Sequence, residues 1–171
     1  MARRFDAVVG VDVSPGMLAE ARLNCARAGL ENVELVESDD NLSRVVGCFD
    51  LVHSTMVFQH LAPRRGERLL RCLIQRLGAG GVAALHVTYH WPVGRFRRFK
   101  YWLLTQVPLA AAAANVLRGR PPGAPLMEMN CYSLNRLFAA VQAAGAQRLH
   151  AAFTQHHEHW GVLLVFQTHA A

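Results

Sequence analysis

The chain has no C-x-x-C pair. Its four cysteines, Cys25, Cys48, Cys72 and Cys131, are widely spaced, which argues against a zinc ribbon or a thioredoxin-like dithiol. Cys25 and Cys72 fall on apolar positions of helical patterns, so buried thiols in a reducing cytoplasm are expected rather than disulfides. Nor is there an apolar run long enough for a membrane span, which needs ~20 mostly apolar residues. The longest, Tyr101 to Leu117, is broken by Gln106, Pro108 and Asn115 and reads as a buried or interfacial helix. A secretory leader is not expected, because Arg3 and Arg4 are followed by Asp6 and only a short apolar run. No repeat occurs, and the only low-complexity tract is the alanine run at 110–114. Between Pro92 and Pro125 there is no acidic residue.

What is present fits one domain with a sizeable core, 171 residues long and 52% hydrophobic. The formal net charge of +6 suits nucleic acid, an anionic membrane surface or an anionic ligand. Val8, Val9 and Val11 are β-branched and read as a strand buried on both faces. Asp12 ends that run. Ser14 can cap a helix and Pro15 can open it. Met17, Leu18, Ala21 and Cys25 recur at helical spacing up to Gly29. Asp12 reads equally well as a turn residue or as a carboxylate accepting from the two hydroxyls of a sugar diol.

Further strands are expected at Val33–Val36, Phe49–Ser54 and Val82–Thr88, with a loop at Arg44–Gly47 and a turn over Gly78–Gly81. Thr55 to Leu61 reads as a loop or short helix. Arg65 to Leu77 is an amphipathic helix, with Leu69, Leu70, Leu73, Ile74 and Leu77 on one side. This alternation predicts a Rossmann-like α/β fold: a mostly parallel sheet with helices on both faces. Polar groups recur where strands end, at Asp12, Ser38 to Asp40, His53 to Thr55 and Thr88 to His90. That edge binds ligands in open α/β sheets. From about residue 92 to 125 a basic helical insertion is expected. It carries Arg95, Arg97, Arg98, Lys100, Arg118 and Arg120, with Phe96, Phe99, Trp102 and Leu103 interleaved. Ser133 then opens a helix running to Gly145. Gln147 to Thr154 and Trp160 to Thr168 form an antiparallel hairpin across the link Gln155–His159.

Taken together, these segments resemble class I S-adenosylmethionine-dependent methyltransferases. V-V-G-V-D-V-S-P-G-M-L is similar to that family's second strand and following helix start. Ser38-Asp39-Asp40 resembles the end of its third strand. F-D-L-V-H-S-T-M-V-F-Q-H-L resembles its fourth strand and loop, and L-G-A-G-G-V its turn into the fifth, with Ala79 where proline is usual. The last helix and hairpin are similar to its terminal ones. The resemblance implies S-adenosylmethionine as cofactor. It implies that Asp12 holds the ribose hydroxyls, Val13 and Met17 line the adenosine, Ser38, Asp39 and Asp40 meet the adenine, and Ser54 borders the pocket. It implies His60, Tyr89 and His90 as candidates to align a methyl acceptor, with a small molecule expected as that acceptor. No metal is expected: His156, His157 and His159 are too close in sequence to converge easily on one ion.

The resemblance also has a departure. Only eleven residues precede Asp12, whereas a glycine-rich loop should lie ~20 residues ahead of such a carboxylate. The family's first strand and that loop are therefore expected to be absent from an N-terminally truncated domain spanning 1–171. The second and fourth strands would lose the neighbour between them, and cofactor would bind weakly or not at all. A non-catalytic fragment or pseudo-enzyme that binds a partner is the alternative reading. A nicotinamide-dependent dehydrogenase is disfavoured by the terminal antiparallel hairpin. The basic insertion could serve a peripheral membrane surface or cover the site as a lid or cap. No nucleic-acid module is recognisable.

Overall fold

The computed structural model describes residues 1–94, 96, 99, 102–104, 107–117, 119, 121–122, 129–146 and 148–168. The six basic residues of the insertion lie outside the described residues, as does Gln147. Strand β1 (Val8–Asp12) pairs in parallel with β2 (Val33–Glu37), from Val8 opposite Val33 to Asp12 opposite Glu37. Helix α1 (Pro15–Arg27) connects them. Ser14 is extended (φ −100°), its Oγ accepts from the Met17 amide at 3.4 Å, and Pro15 takes the first helical position, where a missing N–H costs nothing. Gly29 at φ 62° ends the helix, and the Leu30 amide closes back on the Cys25 carbonyl at 3.0 Å.

The second sheet has the order β3–β4–β6–β5. Strands β3 (Phe49–Ser54) and β4 (Leu77–His90) are parallel, and β5 (Arg148–His156) and β6 (His159–Gln167) add antiparallel to β4. Helices α2 (Pro63–Gln75) and α4 (Leu134–Ala143) contribute to its core, while α3 (Pro108–Leu117) lies in the insertion. Register places Ala83, Leu85 and Val87 of β4 beside Phe166, Leu164 and Val162 of β6, on one face. All six are buried, with Leu70 and Ile74 of α2, Leu137 and Val141 of α4, Phe58 and Tyr132. Each buried valine, leucine, isoleucine or phenylalanine among them contributes ~1.5–3 kcal/mol through removal from water.

Among the described residues β1 is hydrogen-bonded only to β2, and β3 only to β4. The sheet is thus interrupted between β1 and β3, where the family resemblance left two strands without a shared neighbour. The β1–α1–β2 unit buries little by itself: Leu18 is the one buried residue of α1, and Val11, Val13, Met17 and Leu23 are exposed. It is tied to α2 by the segment after β2. Asp40 pairs with Arg65, Arg76 donates to the Leu42 carbonyl at 3.4 Å, and Leu42 and Val45 are buried.

Two local differences from the sequence reading stand out. Gly78–Gly81, expected as a turn before a strand, lies within β4 as a bulge: Phe49 pairs with Leu77, yet Leu51 pairs with Val82. Gly80 sits at φ 75°, and a Cβ on Gly81 would lie 2.8 Å from the Phe49 carbonyl oxygen, so this bulge accepts little but glycine. The terminal hairpin is also tighter than expected. His156 pairs with His159, leaving only His157 and Glu158 in the turn, with His157 at φ 52°.

On the opposite face of β4 from Leu85, His86 crosses β6 at Gly161 and bonds Thr154 of β5, Nε2 to Oγ1, at 2.8 Å. Burial, and to a smaller degree the nearby His156 ring, push the His86 pKa below the usual histidine range. Burial does the same to His159, with Glu158 opposing and His157 reinforcing. Both rings bind a proton less readily folded than unfolded. The unfolded chain therefore takes up more protons as pH falls through about 6.5, and folding stability drops. We expect the melting temperature to decline between pH 7 and pH 5, and the decline to shrink in His86→Gln. A flat profile in thermal unfolding across that range would refute this assignment.

Candidate cofactor site

Because β1 and β2 are parallel, Asp12 and Ser38 come together at their carboxyl ends. The Ser38 amide donates to the Asp12 carbonyl at 3.1 Å. The Asp12 carboxylate turns back over the helix start, and its Oδ1 accepts from the Ser14 amide at 2.8 Å. Oδ2 has no hydrogen-bond partner among the described residues. The local sequence explains this: a carboxylate two residues ahead of an amide forms an Asx turn, and Ser14-Pro15 then starts α1. Asp12 is thus both the turn residue and a carboxylate with one oxygen to spare. Ser38 Oγ is buried and also without a partner among the described residues. Val13, which follows Asp12, and Met17, in the first turn of α1, have exposed side chains.

The neighbouring acidic residues are already engaged. Asp39 organises its own turn: Oδ1 accepts from the amides of Asn41 (3.0 Å) and Ser43 (3.1 Å), and Oδ2 from the Ser43 hydroxyl (3.0 Å). These bonds, the Ser43 amide foremost, hold its carboxyl below the usual carboxylate range. Asp40 receives a two-pronged contact from Arg65, Nε at 2.6 Å and Nη2 at 2.9 Å, and that bond lowers its pKa. The pair serves geometry more than stability, since Arg65 is exposed and such ion pairs contribute ~0–1 kcal/mol. Arg65 lies in the first turn of α2, which follows β3, and Asp40 lies three residues after β2 ends, so their contact links the segments that follow these two strands.

On the β3–β4 side, Ser54 is half-buried at the strand end. His60, Tyr89 and His90 occupy three separate settings. His60 is half-buried, and its Nε2 lies 3.2 Å from the Gln59 amide nitrogen. The Tyr89 ring packs on the core and lies 6.0 Å from Phe153. His90 is exposed, 5.0 Å from the Trp160 ring. Tyr89 is thus turned toward the hairpin.

Sequence reasoning missed the polar hub behind these residues. Gln59 is buried, its Oε1 accepts from Thr88 Oγ1 at 3.2 Å, and its carbonyl accepts from the Asn130 amide at 2.7 Å. The Thr88 carbonyl in turn accepts from the Tyr132 amide at 2.8 Å. These bonds fix the ends of β3 and β4 against the segment entering α4. The one available signal was a glutamine inside the otherwise apolar run M-V-F-Q-H-L.

Residues 1–81 match the family model described as a methyltransferase domain. No curated protein matches the sequence. Among solved structures, magnesium protoporphyrin IX methyltransferase from Synechocystis PCC 6803 with bound SAH superposes at a TM-score of 0.67. It is 13% identical, and the match covers 98% of this chain and 66% of that one. An S-adenosylmethionine-dependent methyltransferase from Clostridium acetobutylicum ATCC 824 also reaches 0.67, at 12% identity, covering 98% and 77%. TehB from Haemophilus influenzae gives 0.61 at 13% identity, covering 95% and 50%. The chain spans 66% of the Synechocystis enzyme's length and 43% of that of another such methyltransferase, SibL. The chain shares the fold of these methyltransferases.

Proposed function

We propose that this chain transfers a methyl group from S-adenosylmethionine to a small-molecule acceptor. One observation carries the reading. Asp12 keeps a carboxylate oxygen without a partner, beside the buried and unpartnered Ser38 Oγ, at the carboxyl end of paired parallel strands. A charged acceptor and a hydroxyl at that place suit the ribose and adenine of the cofactor. Val13 and Met17 supply apolar contact for the adenosine, and Ser54 borders the pocket from β3. Asp39 and Asp40 act on the adenine side mainly by holding the turn that presents Ser38. The cofactor supplies a sulfonium-bound methyl group with a good leaving group. The protein's part is to align the acceptor and exclude water. His60 is the alignment candidate that the strand-end hub holds in place, while Tyr89 and His90 would act at the hairpin side.

Titration with S-adenosylhomocysteine tests the cofactor reading. Saturation-transfer NMR should show saturable binding, weaker than micromolar because β1 and β3 have no shared neighbouring strand among the described residues. Asp12→Ala should weaken it by ~1–3 kcal/mol, or ~5–150-fold, through lost charge-assisted hydrogen bonds. Equal affinity in the variant would remove Asp12 from the site. No binding at millimolar ligand would favour the alternative, a non-catalytic protein that acts through a partner.

A further inference from the structure

We propose that the insertion between β4 and α4 docks the protein on an anionic lipid bilayer. The observations concern charge and exposed apolar surface, and they stand apart from the methyl-transfer reading. Six basic residues and no acidic one lie between Pro92 and Pro125. The other 12 basic residues balance the 12 acidic ones, so the entire net charge of +6 resides in this one segment. A single-sign excess confined to one stretch creates a local attraction for an anionic surface.

The same segment holds the chain's densest set of exposed large apolar side chains among the described residues. Phe96 is 79% exposed, Phe99 58%, Trp102 54%, and in α3 Leu109 is 82% and Leu117 88% exposed. Phe96, Phe99, Trp102 and Leu103 are helical, and their spacing of three and four residues sets them on one side of a helix. Phe99 and Trp102 stack with ring centroids 5.8 Å apart. Helix α3 carries the buried Asn115, which donates to the Pro122 carbonyl at 3.3 Å. Its apolar tip at Val116 and Leu117 is left outward.

Isolated exposed leucines are ordinary, but contiguous aromatic exposure marks an interaction surface. The occupant must accept bulky apolar groups and carry negative charge. A bilayer with anionic headgroups does both: aromatics enter the headgroup boundary while arginines remain at the phosphate level. No helix among the described residues is long and apolar enough to cross a membrane, so the contact lies in the interface plane. Nucleic acid would use the charge but would leave Leu109, Val116 and Leu117 uncovered. A second copy of this chain would add a second segment of the same charge.

Vesicle co-sedimentation of the full chain tests the proposal. Binding to phosphatidylcholine vesicles with about a third phosphatidylglycerol should exceed binding to pure phosphatidylcholine at least tenfold, and should fall at least tenfold from 50 to 500 mM salt. Phe96→Ser/Phe99→Ser/Trp102→Ser should lose at least tenfold in vesicle affinity with an unchanged melting temperature, because these side chains are exposed. Arg97→Gln/Arg98→Gln should lose the preference for anionic lipid while retaining weak binding to both vesicle types. Equal binding to neutral and anionic vesicles, no loss in either variant, tighter binding to single-stranded RNA than to vesicles, or a dimer that the serine variant dissociates would each overturn it.

Discussion

Replacing Gly66 by alanine is expected to lower the melting temperature by roughly 5–15 °C, since among the described glycines an added Cβ meets its closest obstruction here. Gly66 is buried in the first turn of α2, and a Cβ there would occupy the space of the Tyr132 hydroxyl and ring edge. That hydroxyl has no room to retreat. It shares its proton between the carbonyls of Phe58 (2.8 Å) and Leu61 (2.9 Å), and Tyr132 is 2% exposed. Burial, with a smaller contribution from Glu67 and against Arg65, pushes the phenol pKa well above the usual tyrosine range. It therefore remains a protonated donor at any working pH. The methyl would break this bridge and take the hydroxyl from the Leu61 carbonyl, while the Phe58 carbonyl keeps the Leu61 amide at 2.9 Å. Overpacking costs ~1–3 kcal/mol and each lost buried partner ~1–3 kcal/mol, so a total of ~2–4 kcal/mol is expected. Tyr132→Phe removes the hydroxyl but retains the ring. The double variant should then be less destabilised than the sum of the single ones, by ~0.5 kcal/mol or more. Additive melting shifts by calorimetry would show that the two residues do not meet.

Gly161→Ala is expected to cost ~2–3 kcal/mol by the same kind of collision on the other side of the sheet. A Cβ at Gly161 would lie 2.5 Å from His86 Nε2 and 2.6 Å from Thr154 Oγ1. The His86–Thr154 bond passes over β6 only because the residue between them has no side chain. His86 is 4% exposed, so a displaced ring has no water to move into, and its lost bond adds ~1 kcal/mol. The His86→Ala background should absorb most of the loss, since the obstacle is then gone. Urea unfolding of the two single variants and the double variant measures this coupling. Equal losses in both backgrounds would mean that the strands themselves, not the ring, resist the methyl.

The order of elements was legible in the sequence because hydrophobic period changes sharply along it. Val8–Val11 and Val33–Val36 are short apolar runs, and α2 shows a clean helical stripe. Ser14-Pro15 marked a helix start that the structure realises with a side-chain cap. Ser133 looked equivalent, yet it makes no capping bond. Local pattern names a competent residue but not the rotamer it adopts. The same limit explains the bulge in β4. G-A-G-G signals a break, and only pairing with Phe49 and Leu51 decides whether it falls before the strand or within it.

The site follows a similar division. By itself the sequence determined that acidic and hydroxyl groups end the strands and that six cations gather after β4. Both are properties of composition along the chain. Tertiary structure alone decided which of those groups remain available. Asp39 closes its own turn, Asp40 binds Arg65, and Asp12 retains an oxygen beside Ser38, although all three carboxylates read alike in one dimension. The reason is physical: a hydrogen bond is directional and short. Asp39 bonds residues two and four positions on, where backbone conformation decides the contact, but Asp40 meets an arginine 25 residues away, whose approach no local pattern encodes.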